Sequence, residues 1–275
     1  MRIASLCPSN TETAAYLGLT SQLIAVDDYS DWPGAVNQLP RLGPDLSIDV
    51  EKLKTLKPDL VLASLSVPGM EKNIEKLKKE NIPYIVSGPD TIKDIRNDFF
   101  LFGEAADAEE RAKVLAEEFD RFLHKYEQLA ASVSPLRLYW EWWPKPVFSP
   151  GGGNWLTTIS RLAGGVNIFE DKKEASCKLE WEDVRKLDPD RICLAWVGVQ
   201  TEKVRPQLLK KRPGWPDMKA MKENHIHILE EPLYCRPSPR LLLGLQRLAY
   251  LLHPSVFPVP DGKDPLLSIY EEELS

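Results

Sequence analysis

The chain has 275 residues, 43% of them hydrophobic and 28% charged, with a formal net charge of −6 at pH 7. That length exceeds the usual single domain and fits two. The acidic balance argues against nucleic acid or an anionic membrane surface as the main partner, and no apolar run reaches membrane-spanning length. Cys7, Cys177, Cys193 and Cys235 are scattered without metal-ligand or CxxC spacing and read as reduced thiols.

The head of the chain runs at once into a short strand at 3–6. It shows neither an apolar stretch of signal-peptide length nor a lipobox-like cysteine before a linker. The expected compartment as written is the cytoplasm, or outside it if the start codon is misplaced or a leader has been removed. Asn10 is expected to cap a helix that runs to Leu17 and stops at Gly18. A second strand at 23–26 leads into a polar loop that holds Tyr29 and Trp32.

Residues 50–64 (VEKLKTLKPDLVLAS) and 182–196 (EDVRKLDPDRICLAW) then repeat one pattern. Each has an acidic residue (Glu51, Glu182), a leucine (Leu56, Leu187), a Pro-Asp pair (Pro58-Asp59, Pro189-Asp190) and an apolar run. Glu51 lies as far before Pro58 as Glu182 before Pro189. Leucines on one helical face, a proline that cannot continue the helix, and a run too short for a buried helix read as helix, tight turn and buried parallel strand. A helix-Pro-Asp-strand corner is also common in α/β proteins, so each copy alone says little. Two copies point to two similar lobes, and two lobes make a cleft.

Between the copies, a loop at 64–69 follows the first repeat strand, at the edge where open α/β sheets bind ligands. A helix at 70–80, a strand at 83–87 and a helix at 92–105 follow. Asp107 and Glu110 have capping-box spacing. Leu115, Phe119, Phe122, Tyr126 and Leu129 form one apolar stripe. The predicted helix at 107–131 would span roughly 35–40 Å, a stiff bridge rather than a flexible linker. The division is then 1–105 for the first lobe, 106–134 for the bridging helix and 135–275 for the second lobe. The second lobe opens on an aromatic strand containing Trp140, Glu141, Trp142 and Trp143. Its other elements are a helix at 156–163, a strand at 226–229 and a terminal helix at 240–252. The tail beyond Pro254 is proline-rich with an acidic end, a pattern of surface packing or partial disorder.

Few residues carry recognisable chemistry. Gly151-Gly152-Gly153-Asn154 lies between a strand and a helix start, where backbone N–H groups can hold an anion or a ligand carbonyl. It is neither GxGxxG nor a P-loop. A turn needing positive φ would account for one or two of the glycines; three leave room for close approach. Tyr29, Trp32, Trp142, Trp143, Phe148, Trp155, Trp196 and Tyr234 sit beside predicted loops and suit a large flat or amphipathic ligand, although each alone is more often core. His225 and His227 share a strand face without further ligands at metal-site spacing. Glu141 has no paired carboxylate, and no nucleophile elbow occurs.

The segments CPSNTE, VDDYSDWP, KPDLVLAS, FSPGGGN, LAGGVNIF and RPSPRL give the chain, over about residues 2–252, a further reading. It resembles the vitamin B12-binding proteins of bacterial ABC importers, in the helical-backbone class of substrate-binding proteins that also takes up iron-siderophores and haem. The resemblance implies an α/β fold of two Rossmann-like lobes bridged by one long rigid helix, with the ligand cleft between them. It implies a monomeric, non-catalytic binder without metal or cofactor of its own, whose ligand is a corrinoid such as cobalamin and whose partner is an ABC permease. A ferric-siderophore or haem binder, and a cytoplasmic corrinoid-handling factor or enzyme, are the alternatives.

Tyr29, Phe148 and Arg236 match positions that contact cobalamin in the family, and Ser9 fills a further one. Ser64, Ser176 and Pro44 or Asp45 stand where the family carries tryptophans, and Pro232 where it carries an aspartate. Trp142, Trp155 and Trp196, with Gly152 and Asn154, complete the candidate ligand set. Glu51 and Glu182 match the glutamates that dock on permease arginines; the helix dipole alone also favours acids at helix starts.

Overall fold

The computed structural model of the chain describes residues 1–267. Met1–Asp120, Pro237–Pro239 and 266–267 form one unit, and Arg121–Arg236 with Arg240–Pro265 form the other.

The first unit holds strands β1 (Ile3–Ser5), β2 (Leu23–Val26), β3 (Leu60–Ser64) and β4 (Tyr84–Ser87). They form one parallel sheet in the order β2-β1-β3-β4. Its helices are α1 (Pro8–Tyr16), α2 (Val50–Thr55), α3 (Glu71–Lys79), α4 (Ile92–Ala105) and the first half of α5 (Glu109–Ala130). β3 is buried along its whole length, as its unbroken apolar run requires. Leu53 of α2 and Leu77 of α3 join Val61 and Ala63 of β3 in the core. Burying each leucine is worth about 1.5–3 kcal/mol.

The second unit holds β5 (Leu136–Glu141), β6 (Trp143–Pro144), β7 (Val147–Pro150), β8 (Gly165–Asn167), β9 (Ser176–Leu179), β10 (Arg191–Leu194) and β11 (Ile226–Ile228). Its helices are the remainder of α5, α6 (Trp155–Leu162), α7 (Trp181–Leu187), α8 (Lys219–Lys222), α9 (Glu231–Tyr234) and α10 (Leu241–Leu252). A parallel sheet runs β11-β10-β5-β8, and a small antiparallel sheet runs β6-β7-β9.

The repeated sequence is the same corner in both units, α2 to β3 and α7 to β10. Lys57 and Asp188, each just before its proline, adopt left-handed backbone with φ of 48° and 42°, which ends the helix. Asp59 N–H donates to Arg2 O at 2.8 Å while its carboxylate accepts from Arg2 N–H at 2.7 Å. Asp190 does the same with Arg137, at 2.8 and 2.9 Å. Each Pro-Asp pair therefore pins the start of the adjacent parallel strand. With β3 matched to β10, β1 corresponds to β5, β2 to β8 and β4 to β11, so the two parallel sheets share one order. In such doubly wound sheets the chain reverses direction across the sheet between the two central strands, and ligands sit outside their carboxyl ends. Here those pairs are β1/β3 and β5/β10.

Two local expectations are corrected. Asn10 does not cap α1: Pro8 opens the helix, as its fixed φ and missing N–H permit, with Cys7 at the cap position. The Asn10 amide instead donates to Ala63 O of β3 at 2.9 Å. Asp107 does not cap α5 either, because its φ of 54° is incompatible with the extended backbone a cap needs. In the α5 stripe, Leu115, Phe119 and Tyr126 are buried. Phe119 meets Phe99 edge-on at 5.3 Å, and Tyr126 stacks on Phe122 and Phe257. Phe257 and Leu266 are buried, so the tail packs at least that far. Its acidic end, 271–273, lies outside the described residues.

Candidate functional site

At the carboxyl edge of the first unit's sheet, the turn after β1 carries Ser9 on the first turn of α1. Ser64 is the last residue of β3. Both are buried. Ser9 Oγ lies 3.3 Å from Cys7 Sγ, and Ser64 is a further hydrogen-bond neighbour of that thiol. Burial pushes the Cys7 thiol up to about 12, so it stays protonated. Ser64 Oγ also lies 2.8 Å from Ser66 Oγ and accepts from Ser66 N–H at 3.1 Å.

Tyr29 differs: its side chain is 53% exposed. The loop beneath it is locked. The buried Asp27 carboxylate accepts from Tyr29 N–H at 2.8 Å and from the Ser30 hydroxyl. Thr11 Oγ1 links Ser30 to Ser5 at 2.7 and 2.8 Å, and Arg41 donates to Asp27 O at 2.9 Å. A fixed loop thus presents an uncovered phenol ring. Leu46, Leu65 and Val67, also exposed, were not among the candidates. Their position on loops before α2 and after β3 was the signal available for them.

The second unit's edge is aromatic. β5 ends at Glu141 and β10 at Leu194, and main-chain bonds continue past both ends. Ala195 N–H donates to Glu141 O at 3.0 Å, Val197 N–H to Trp142 O at 3.1 Å and Trp142 N–H to Phe148 O at 2.9 Å. The Trp142 and Trp155 rings lie 5.6 Å apart. These contacts bring Trp142, Phe148, Trp155 and the strand end before Trp196 together. Trp155 and Trp196 are each 6% exposed, and their indole N–H groups are used internally, by Tyr234 O at 2.9 Å and Glu141 Oε1 at 3.1 Å. Trp142 Nε1 has no hydrogen-bond partner among the described residues. Trp143 and Val197 are exposed beside them.

The glycine loop is corrected. Gly151 N–H donates to Ala175 O at 3.2 Å and Gly152 N–H to Lys172 O at 2.6 Å, so neither is left for an anion or a ligand carbonyl. None of Gly151, Gly152 and Gly153 has a positive φ. A Cβ at Gly151 would stand 2.2 Å from Glu174 O, and one at Gly152 2.2 Å from Glu170 O. The close approach that requires glycine is made by the chain's own segment 170–175. Asn154 is buried and its Oδ1 accepts from Leu156 N–H at 2.8 Å, capping α6.

Arg236 is 9% exposed, and its guanidinium lies 3.4 Å from the Glu231 carboxylate. Glu51 and Glu182 occupy the first turns of α2 and α7 with side chains 80% and 47% exposed. Each pairs with a cation one turn on, Lys54 at 3.6 Å and Arg185 at 2.6 Å. Glu141 is fully buried and held by an arginine, Arg212. His225 Nδ1 lies 2.5 Å from an Arg191 nitrogen and 3.1 Å from the Glu223 carboxylate. Among the described residues no group of three His, Cys, Asp or Glu could hold a metal. A polar hollow of about 530 Å³, lined by residues such as Gln22, Asp107 and Arg111, includes none of the candidates.

Three relatives place this geometry. An uncharacterized ABC transporter substrate-binding lipoprotein of Bacillus subtilis is 28% identical over 93% of this chain and 81% of its own. A vitamin B12-binding protein of Yersinia pestis is 28% identical over 95% and 89%. The crystal structure of the periplasmic vitamin B12 binding protein of Vibrio cholerae superposes with a TM-score of 0.73 at 26% identity, covering 91% of this chain and 96% of that one. The lipoprotein and periplasmic relatives overturn the cytoplasmic expectation. That expectation rested on finding neither a signal-like apolar stretch nor a lipobox-like cysteine at the head of the sequence, which carries no information on compartment. A family profile described as periplasmic binding protein matches residues 3–233, and the chain belongs to that family.

Proposed function

We propose that the chain is the ligand-binding component of an ABC importer, that it captures a corrinoid such as cobalamin as a monomer, and that it makes and breaks no bond. The observation that carries this is the aromatic carboxyl edge of the second unit, where Trp142, Phe148 and Trp155 are held together beside the end of β10. Flat or amphipathic ligands bind such surfaces by stacking, with a few polar groups for orientation. The exposed ring of Tyr29 on its locked loop adds a stacking surface, and Arg236 a charge-assisted donor to amide or phosphate oxygens. Ser9 and Ser64, buried and locally bonded, shape the edge rather than donate freely. The vitamin B12-binding relatives support the corrinoid reading. Glu51 and Glu182 are proposed as the contacts to the permease: they are exposed, and charges so placed set register and speed encounter.

The test is a titration of the purified protein with cyanocobalamin, read by tryptophan fluorescence and calorimetry. Saturable quenching at micromolar concentration or below is expected. No quenching and no heat, alongside clear binding of haem or a ferric siderophore, would replace the corrinoid.

A further inference from the structure

The second unit contains a charged network that the ligand and docking proposals leave unused. Glu141, the last residue of β5, is fully buried, and each of its carboxylate oxygens accepts two hydrogen bonds. Oε1 accepts from Trp196 Nε1 at 3.1 Å and Arg212 Nη2 at 2.9 Å. Oε2 accepts from Tyr139 Oη at 2.7 Å and Arg212 Nη1 at 2.5 Å. Burial and the neighbouring Glu141 charge hold the Tyr139 phenol well above its ordinary pKa, so it remains a donor.

The Arg212 guanidinium, 3% exposed as a residue, lies over the Trp215 ring at 4.3 Å and nearer the edge of reach of Trp181 at 5.4 Å. Trp215 Nε1 in turn donates to Trp181 O at 3.1 Å. Trp181 opens α7, and the next residue is Glu182. One continuous set of directional contacts therefore runs from Trp196, just beyond β10 at the aromatic edge, to the helix turn that carries an exposed acid.

A buried ion pair is a poor source of stability, because desolvation cancels most of its attraction and apolar residues of similar volume do as well. What it does provide is geometry. A planar guanidinium bonded in a fork to a carboxylate has one good arrangement, and a fully satisfied buried network resists rearrangement.

We propose that Glu141 and Arg212 are positioning residues that lock the indole of Trp196 to the first turn of α7, so that ligand contact at Trp196 and the setting of Glu182 are energetically coupled within the second unit. This rests on the ligand and docking roles proposed above. A ligand that fixes Trp196 fixes Glu141, Arg212 and Trp181 with it. Linkage makes the effect reciprocal, so a partner bound at Glu182 changes ligand affinity by the same factor.

The test is hydrogen exchange by mass spectrometry on the full chain, following peptides over 181–187 and 194–199, with and without cyanocobalamin. The variant is Glu141→Leu with Arg212→Met, which removes both charges and leaves neither unpaired. Without ligand, exchange at 181–187 should speed by at least about 5-fold in the variant, the lower end of usual coupling between sites. With ligand, wild type should gain protection in both segments and the variant only in 194–199. Unchanged exchange at 181–187 in the unliganded variant, or ligand protection reaching α7 in the variant as in wild type, overturns the proposal. If wild type shows no response to cyanocobalamin, the ligand reading fails instead, and the unliganded comparison still decides the positioning role. Should the double variant not fold by circular dichroism, Trp196→Phe removes the indole N–H together with the five-membered ring that carries it. It must then speed exchange at 181–187; unchanged exchange there refutes the lock, whatever happens to cyanocobalamin affinity.

Discussion

Replacing Gly152 by alanine separates the two explanations of the glycine run. An added Cβ would sit 2.2 Å from Glu170 O and 3.0 Å from Lys172 O, so the backbone at 170–172 must retreat by roughly 1 Å to reach ordinary van der Waals contact. That retreat breaks the 2.6 Å hydrogen bond from Gly152 N–H to Lys172 O. Overpacking costs about 1–3 kcal/mol and the lost hydrogen bond about 0.5–1.5 kcal/mol. The expected destabilisation is thus about 1.5–4.5 kcal/mol. Gly151→Ala should cost as much, since its Cβ would meet Glu174 O at 2.2 Å. Gly153→Ala should cost less, its nearest contact being Lys173 O at 2.7 Å. Urea unfolding read by tryptophan fluorescence reports on this unit, because every tryptophan but Trp32 lies in it. The midpoint should fall with the slope unchanged. If Gly152→Ala unfolds within about 0.5 kcal/mol of wild type yet loses cyanocobalamin, the loop serves a ligand and the packing argument is wrong.

Arg212→Met alone leaves the Glu141 carboxylate buried without its cation and should cost about 3–5 kcal/mol in urea unfolding, while adding Glu141→Leu should recover part of that loss, the rest being held back by the Tyr139 hydroxyl and Trp196 N–H left without their acceptor; a double variant less stable than Arg212→Met would contradict it. Burial, assisted by Arg191 and His225, lowers the His227 pKa from 6.5 to about 4. Between those values the unfolded chain takes up a proton that the folded one refuses, so this contribution to stability is complete above pH 6.5 and is lost as pH falls toward 4. The stability difference between wild type and His227→Gln should therefore shrink or reverse with acidification across that window, and a difference independent of pH would refute the assignment. Glu51→Lys with Glu182→Lys should leave cyanocobalamin affinity unchanged and lower the urea midpoint only slightly, by the exposed helix-start terms, since both acids pair with exposed cations on their own helices. The same variant should abolish stimulation of permease ATP hydrolysis; full stimulation would remove the docking role.

Much of the fold was legible because its signals are local. The Pro-Asp corner could be read twice because proline ends a helix whatever surrounds it. The strands after it could be read because an apolar run of that length has few other homes. Asn10 and Asp107 were misread for the same reason in reverse. Both have cap-forming side chains at plausible spacing, but Pro8 had already opened α1, and Asp107 took a left-handed turn between α4 and α5. The aromatic edge was legible as a concentration of rings beside loops. The fate of each ring was not, since Trp155 and Trp196 use their N–H groups on Tyr234 and Glu141.

What the amino-acid sequence determined alone is the pair of α/β units, the corners that register their sheets, and the strand ends at which candidate residues gather. Only the tertiary structure decided which groups meet. Segment 170–175 claims the glycine loop, and Arg212 reaches Glu141 across 71 positions of chain. Tyr29 stays uncovered while Ser9 and Ser64 are enclosed. Helix ends, turns and strand runs follow from backbone sterics within a few residues and so can be read in order along the chain. A buried polar group takes whichever partner the packed fold brings within 3 Å or so, and no local pattern encodes that partner.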